Sequence, residues 1–197
     1  MRIIAGTKRG MKLLSPKTQG AWPQVSRPIT DRVKESLFSV LYNYDLPDGA
    51  RVADLFSGVG SLGLEALSRG AVFVTFVEKD PDVVSILKKN IEKGGFAGDS
   101  KVIRANAFQT GAALDCGAER YDLVFVDPPY ALTENVSAGS ALSGLLDLLG
   151  EQVAAESVVV VRTSRDVSLL EQYGKLRVAE RRQWGTMKVA ILMKDRI

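Results

Sequence analysis

The sequence predicts an α/β protein: a parallel sheet with helices on both faces, preceded by a small hairpin-and-helix extension. Three observations predict it. From residue 51 to residue 161, short apolar runs alternate with stretches of helical periodicity, the pattern of a crossover-connected sheet. Two further apolar runs face each other across Trp184-Gly185-Thr186 and read as a closing antiparallel pair. The first 50 residues lack the alternation and form a separate segment, so the expected division is 1–48 for the extension and 49–197 for the main domain.

In chain order, Arg2 to Ala5 and Met11 to Leu14 are short strand-like pieces around the Gly6–Gly10 turn, and Asp31 to Tyr44 is a helix. After the turn Pro47-Asp48-Gly49 comes a strand, Arg51 to Phe56, then a helix, Ser61 to Arg69. Val72 to Val77 is the second strand. Pro81 to Lys93 is a helix with proline in its first turn and Gly94-Gly95 ending it. Strands at Lys101 to Arg104, Tyr121 to Val126 and Ser157 to Val161 are separated by helices near Ala107 to Leu114 and Ala138 to Leu149. Arg177 to Arg182 and Met187 to Met193 complete the set. In such a sheet the ligand crevice lies at the carboxyl ends of the strands, which brings together the loops after Phe56, Val77, Arg104 and Val126.

Composition removes several function classes. One cysteine, Cys116, cannot form an internal disulfide, and no histidine is present, so imidazole bases, His-metal sites and Ser-His or Cys-His nucleophiles are excluded. The aliphatic run Val158 to Val161 is far short of the roughly 20 apolar residues that span a bilayer, and the first residues do not resemble a signal peptide. A cytoplasmic monomer without a metal and without a membrane partner is expected. The net charge of +3 is unevenly spread: residues 1–30 carry +6 with no acid, residues 31–170 carry −7, and residues 171–197 carry +4. An acidic body with basic ends suits a polyanion held at the ends, although solvated surface accounts for short basic segments equally well. On the first reading Arg2, Lys8, Arg9, Lys12, Arg27, Arg32, Arg181 and Arg182 hold that polyanion, with both termini flanking the crevice mouth.

The first chemical motif is Asp54-Leu-Phe-Ser-Gly58-Val-Gly60-Ser-Leu-Gly63, between a strand and a helix. Its glycines fit GxGxxG, in which missing side chains let backbone approach a ligand. Asp54 beside this loop repels a diphosphate but attracts an ammonium or sulfonium, favouring S-adenosylmethionine over NAD; its bland alternative is a carboxylate that caps the loop. Glu78 is the first charge after the second strand and can accept from both ribose hydroxyls, while Glu78 or Asp80 could instead cap the following helix. Asn106-Ala107, after the third strand, can meet an adenine edge. The cofactor-binding set is therefore Asp54, Phe56, Ser57, Gly58, Gly60, Glu78, Lys79, Asn106 and Ala107.

The motif that selects the reaction is Asp127-Pro128-Pro129-Tyr130, directly after the strand Tyr121 to Val126. Prolines stiffen the backbone and leave carbonyl acceptors free. An Asp oxygen and the Pro128 carbonyl can receive the two protons of an exocyclic amino group, and the Tyr130 ring can stack on a base. Such hydrogen bonds localise the lone pair of a poorly nucleophilic arylamine and aim it. No histidine base is required when the leaving group is a sulfonium.

The stretch Asp54 to Ala71 together with Asp127-Pro-Pro-Tyr130 resembles the RsmD-like bacterial methyltransferases. Arg2-Ile-Ile-Ala-Gly-Thr-Lys-Arg-Gly10 and Arg27-Pro-Ile-Thr-Asp-Arg-Val-Lys-Glu-Ser-Leu-Phe38 are similar to that family's opening segments. The resemblance implies a Rossmann-like, seven-stranded class I methyltransferase sheet with an RNA-contacting N-terminal extension. It also implies transfer of a methyl group from S-adenosylmethionine, leaving S-adenosylhomocysteine, to the N2 amino group of a guanine in small-subunit (16S) ribosomal RNA, naked or in an assembling subunit. Asn106 stands where many methyltransferases have Asp. The rivals are an amino-methyltransferase of DNA adenine N6 or protein glutamine, a non-catalytic RNA-binding assembly factor, and an NAD-dependent oxidoreductase. The first needs a sizeable duplex-reading region beyond the 140-residue body, the second has no use for the acceptor tetrapeptide, and the third needs a substrate domain.

Overall fold

A computed structural model describes residues 1–16, 29–113 and 120–194; the expectations placed on Arg27 and Leu114 lie outside the described residues. The centre is one sheet in which β1 (Arg51–Leu55), β2 (Phe73–Glu78), β3 (Ser100–Arg104), β4 (Tyr121–Val126) and β5 (Val153–Ser164) run parallel. Three antiparallel strands extend it: β6 (Gln172–Tyr173), β7 (Leu176–Trp184) and β8 (Met187–Lys194). The spatial order is β3-β2-β1-β4-β5-β8-β7-β6. The chain steps outward from β1 to β3, then crosses back to β4 on the other side of β1. That reversal opens a crevice beyond the carboxyl ends of β1 and β4.

Alternation along each strand divides the core in two. Val52, Val74, Phe76, Leu123, Phe125, Val158 and Val160 pack against α1 (Asp31–Leu41), α2 (Ser61–Ser68) and α3 (Pro81–Gly94), with Phe38 of α1 against Phe125 at 5.8 Å between ring centroids. Ala53, Leu55, Val77, Val124, Val126, Val159 and Val161 face the opposite way, onto α4 (Ala107–Thr110) and α5 (Ala141–Gln152). The helices start where side chains cap them: Thr30 accepts from the Val33 N–H, Asp80 from those of Asp82 and Val83, and Ser140 from that of Ser143.

Several boundaries differ from those expected. Among the described residues the sheet has eight strands and not seven, because Gln172–Tyr173 pairs with Arg177 and Leu176 at the edge; two residues are too few to show alternation. Strand β5 runs well beyond Ser157 to Val161, since its pairing with β8 continues to Ser164 opposite Met187. The helix expected to reach Tyr44 stops at Leu41, continues as a 3₁₀ turn over Tyr42–Tyr44, and ends at Asp45, whose φ of 56° is left-handed. Helix α4 stops at Thr110, before Gly111 at φ 58°, and α5 begins at Ala141, after its Ser140 cap. The N-terminal pieces make one bridge, Arg2 to Lys12, and no ladder. Here the N–H groups of Ile4 and Ala5 are taken by the carboxylate of Glu65, at 2.9 and 3.0 Å.

Glu65 is fully buried on α2 and collects more than those two donors. Lys34 Nζ of α1 lies 3.1 Å from it, and Arg69 Nε lies 2.8 Å away. Lys34 also donates to the Arg2 carbonyl at 2.7 Å. Ser68 Oγ donates to the Ala5 carbonyl and accepts from the Lys8 N–H. Gly6 sits so close, at φ 77°, that a Cβ would meet the Ser68 carbonyl oxygen at 1.6 Å. The extension is thus fixed to the same helix that begins at the glycine loop. A second tie is Asn90 of α3, fully buried, whose amide donates to the carbonyls of Leu14 and Val59 while its oxygen accepts from the Leu14 N–H.

Candidate active site

Strand register assembles the site. Leu55 of β1 lies opposite Val77 of β2 and Val126 of β4, so Asp54, Glu78 and Asp127 arrive together at the crevice. Between them the chain leaves β1 through Phe56, at φ 57°, and turns at Gly58 and Gly60, at φ 54° and 89°. The three glycines do different work. A Cβ on Gly60 would strike Leu87 of α3 at 2.6 Å, and one on Gly63 would strike Phe76 of β2 at 2.4 Å, so the first lets the turn approach α3 and the second lets α2 pack closely on the sheet. A Cβ on Gly58 would meet nothing within 4 Å. It faces open space, where a ligand can approach the backbone.

Glu78 holds this turn to β2. Its Oε2 accepts from the Gly58 N–H at 3.0 Å, and its Oε1 from the N–H groups of Lys79 and Asp80 at 2.8 and 3.0 Å. Asp80 is the cap of α3, so capping and loop anchoring are divided between the two acids. Ser57 is tied to the Val77 carbonyl through its N–H at 3.2 Å. Lys79 is exposed, while Ala107 is buried in the first turn of α4. Asn106 caps α4, accepting from the Phe108 N–H at 3.2 Å, and the Phe108 ring packs on Phe56 at 4.9 Å.

Asp54 is buried, and its Oδ2 accepts from the Gly63 N–H at 2.8 Å; one oxygen therefore performs the loop-capping role. Burial and the negative charges of Asp127 and Glu78 push its carboxyl well above the ordinary range, with the Gly63 hydrogen bond working the other way. A folded state that binds a proton more readily than the unfolded chain is favoured below the ordinary carboxylate range, and that advantage is lost as pH rises through the elevated titration. Asp54→Asn keeps an oxygen for Gly63 and cannot ionise. It is expected to melt higher than the parent near neutral pH, with the gap closing as pH falls toward about 4, measured by thermal melts across that range.

Asp127 follows β4 directly. Its Oδ1 pairs with Nε of Arg162, the side chains being 19% and 5% exposed. The guanidinium also lies over the Tyr130 ring, 5.7 Å from the centroid. Burial raises the Asp127 carboxyl and Arg162 opposes that rise. Pro128 is buried, and the chain turns through Tyr130–Leu132, where Oγ1 of fully buried Thr133 donates to the Tyr130 carbonyl at 2.9 Å. Arg162 and Thr133 were not among the residues expected from sequence. Arg162 is the first charge after Val158 to Val161, the same signal that marks Glu78 and Asp127. Thr133 carries no comparable signal.

The basic candidates separate. Lys34 Nζ reaches Ser61 at the start of α2, which puts α1's first turn, with Arg32 and the Arg2–Asp31 pair at 2.7 Å, toward the crevice end. The Gly6–Gly10 tip, with Lys8 and Arg9, lies at the other end of α2, where the Thr7 N–H donates to the Ser68 carbonyl. An eight-residue helix is about 12 Å long, so the expectation that Lys8 and Arg9 flank the mouth is overturned: the Glu65 and Ser68 contacts direct the tip away from it. Lys12 is exposed, and its carbonyl accepts from Lys93 Nζ. Arg182 lies level with Arg162 across β8, both opposite Val189, and pairs with Glu180; Arg181 pairs with Glu171 at 2.9 Å. Among the described residues no cluster of His, Cys, Asp and Glu could hold a metal, and no helix is long and apolar enough to cross a membrane.

An open sheet of this order, with an acid-bracketed glycine turn and an Asp-Pro-Pro-Tyr segment at its switch point, has the class I methyltransferase fold. A solved Escherichia coli structure described as "Putative methyltransferase yhhF" superposes over 99% of this chain and 98% of its own, with a TM-score of 0.77 and 30% identity. The family described as "Conserved hypothetical protein 95" matches residues 1–193, and the chain belongs to this RsmD-like family. "Putative rRNA methyltransferase YlbH" of Bacillus subtilis is 34% identical over 199 residues, covering 98% of this chain and 99% of the relative. "Ribosomal RNA small subunit methyltransferase D" of Escherichia coli is 41% identical over 130 residues, 66% of this chain and 60% of the relative.

Proposed function

We propose that this protein transfers a methyl group from S-adenosylmethionine to the exocyclic N2 amino group of a guanine in small-subunit ribosomal RNA. The observation that carries the reading is the Asp127–Arg162 pair at the switch point, beside the Tyr130 ring. An Asp paired with a guanidinium is an acceptor with no proton to give. Guanine presents two adjacent donors to it, N1–H and N2–H, whereas adenine sets an acceptor, N1, beside its N6 amino group and is repelled. The names of the curated relatives point to ribosomal RNA.

The residues around Gly58 fit the cofactor. Open space at Gly58 admits it to the backbone, Glu78 offers carboxylate oxygens at the ribose position, and buried Asp54 feels the negative charges of Asp127 and Glu78, which an ammonium or sulfonium offsets. Bound there, the cofactor contributes an electrophilic methyl group on a good leaving group. Asp127 and the Pro128 carbonyl accept the amino protons and orient the nitrogen, and Tyr130 stacks on the base. Glu78→Ala removes ribose acceptors and the Gly58 anchor together. Charge-assisted bonds are worth about 1.5–3 kcal/mol each, so calorimetry is expected to show at least ten-fold weaker binding of S-adenosylhomocysteine; equal affinity removes Glu78 from the site.

The decisive experiment is methyl transfer from labelled cofactor to total nucleic acid of a strain lacking the gene, followed by nucleoside analysis. N2-methylguanosine in small-subunit RNA is the expected product; N6-methyladenosine, or no transfer, overturns the reading. If the basic tip grips RNA away from the target base, neutralising Lys8, Arg9 and Lys12 together flattens the log–log salt dependence of RNA affinity. The expected change in slope is about 0.7–0.9 for each phosphate that is no longer neutralised. Parallel lines of equal intercept mean the tip does not touch RNA.

A further inference from the structure

Arg162 has an unusual position for a cation. It lies inside β5, 4% exposed, with its backbone opposite Val189 of β8. The preceding residue, Val161, lies opposite Val126 at the end of β4, which sets Arg162 level with Asp127. An arginine buried in an interior strand of the sheet needs strong compensation, and Asp127 and the Tyr130 ring contribute to it. The partners are two of the four residues in the Asp-Pro-Pro-Tyr segment.

We propose that Arg162 is a positioning residue for the acceptor segment: its guanidinium fixes the Asp127 carboxylate and the Tyr130 ring relative to one another and keeps Asp127 an acceptor. This deepens the reading given above and rests on it for the substrate. The guanidinium is planar, always charged and less strongly hydrated than an ammonium, so it can pair with a carboxylate and lie on an aromatic face at once. The ionised carboxylate has about four lone-pair sites, so pairing with Arg162 leaves capacity for substrate protons. Two other charged groups bear on this corner. Asp54, from β1, feels the charge of Asp127, and Glu78, from β2, acts on Asp54; Arg162 is the cation that counters the effect of burial at Asp127. Without it, burial acts unopposed and Asp127 takes up a proton at higher pH. A protonated Asp is a donor, set wrongly for an amino group.

The test reads Asp127 directly and needs no cofactor or RNA. The full chain is labelled with ¹³C at the aspartate carboxyl carbons, the Asp127 signal is assigned with Asp127→Asn, and the signal is followed through a pH titration. In Arg162→Gln the midpoint is expected to rise by about one to three pH units, and in Arg162→Lys to stay near that of the parent. Methyl transfer is then measured on the same proteins. Arg162→Gln is expected to lose about 10²-fold in kcat with KM for RNA within a few fold, and Arg162→Lys to lose at least ten-fold because an ammonium restores the charge without the planar contact on Tyr130. An unmoved midpoint in Arg162→Gln overturns the inference, whatever the activity; so does a fully active Arg162→Lys, which decides the matter even if Arg162→Gln fails to fold. A shifted midpoint in a protein whose parent methylates no RNA guanine leaves Arg162's role standing and overturns the functional reading instead.

Discussion

Asp127→Ala is expected to lose about 10²–10³ in kcat, the effect of removing one preorganised polar group from a reacting centre, while affinity for S-adenosylhomocysteine stays within a few fold. It is also expected to lose about 3–5 kcal/mol of stability, because Arg162 is left buried without its carboxylate. The two losses have separate causes and can be separated. Adding Arg162→Met to Asp127→Ala removes the stranded charge, so chemical denaturation should show most of the stability returning. Single-turnover methyl transfer should show no recovery of rate. If the double variant recovers activity along with stability, Asp127 serves the fold and not the reaction.

Glu65→Ala carries the second large effect, and it acts far from the chemistry. The substitution strands Lys34, which is almost wholly buried and already held below its usual range by that burial. It also leaves the N–H groups of Ile4 and Ala5 without their acceptor. Breaking a buried pair in this way costs about 3–5 kcal/mol, which for a chain of this size lowers the melting temperature by roughly 6–20 °C. Loosening should begin at the extension, so limited proteolysis is expected to cut within residues 1–14 before the sheet is attacked. A melting point within a degree or two of the parent, with residues 1–14 still protected, would show that the Glu65 contacts contribute little.

Most of the sheet was legible from sequence because burial on both faces writes itself as short aliphatic runs, and Tyr121 to Val126 is recovered to the residue. Glu78 and Asp127 were legible by position, each standing first after such a run. Arg162 obeys the same rule, yet its meaning depends on β4 and β5 being neighbours in a particular register, which no local pattern records. Glu65 and Asn90 were hidden for a different reason. Each sits on a helix where a polar residue is ordinarily solvated, and their partners lie 60 and 76 positions away in the chain. The division at residue 48 has a compositional basis, yet Ile3, Leu13, Phe38 and Leu41 share one core with the strands. Gly58, Gly60 and Gly63 looked alike in the motif, and only the packing around each distinguishes the one that faces open space.

The bridge made by Asn90 has a thermodynamic corollary. Its amide holds Leu14, in the segment carrying the N-terminal charges, and Val59, between the two turning glycines. A displacement of either stretch must be followed by the other or break one of these hydrogen bonds. Where occupancy of one stretch shifts the other through this bridge, linkage requires the bias to run equally in both directions. If a polyanion engaging the first stretch tightens small-molecule binding at the second by some factor, saturation with the small molecule tightens the polyanion by that same factor. The two ligands then bind heterotropically, and their order of addition alters the path but not the final affinity of the ternary complex.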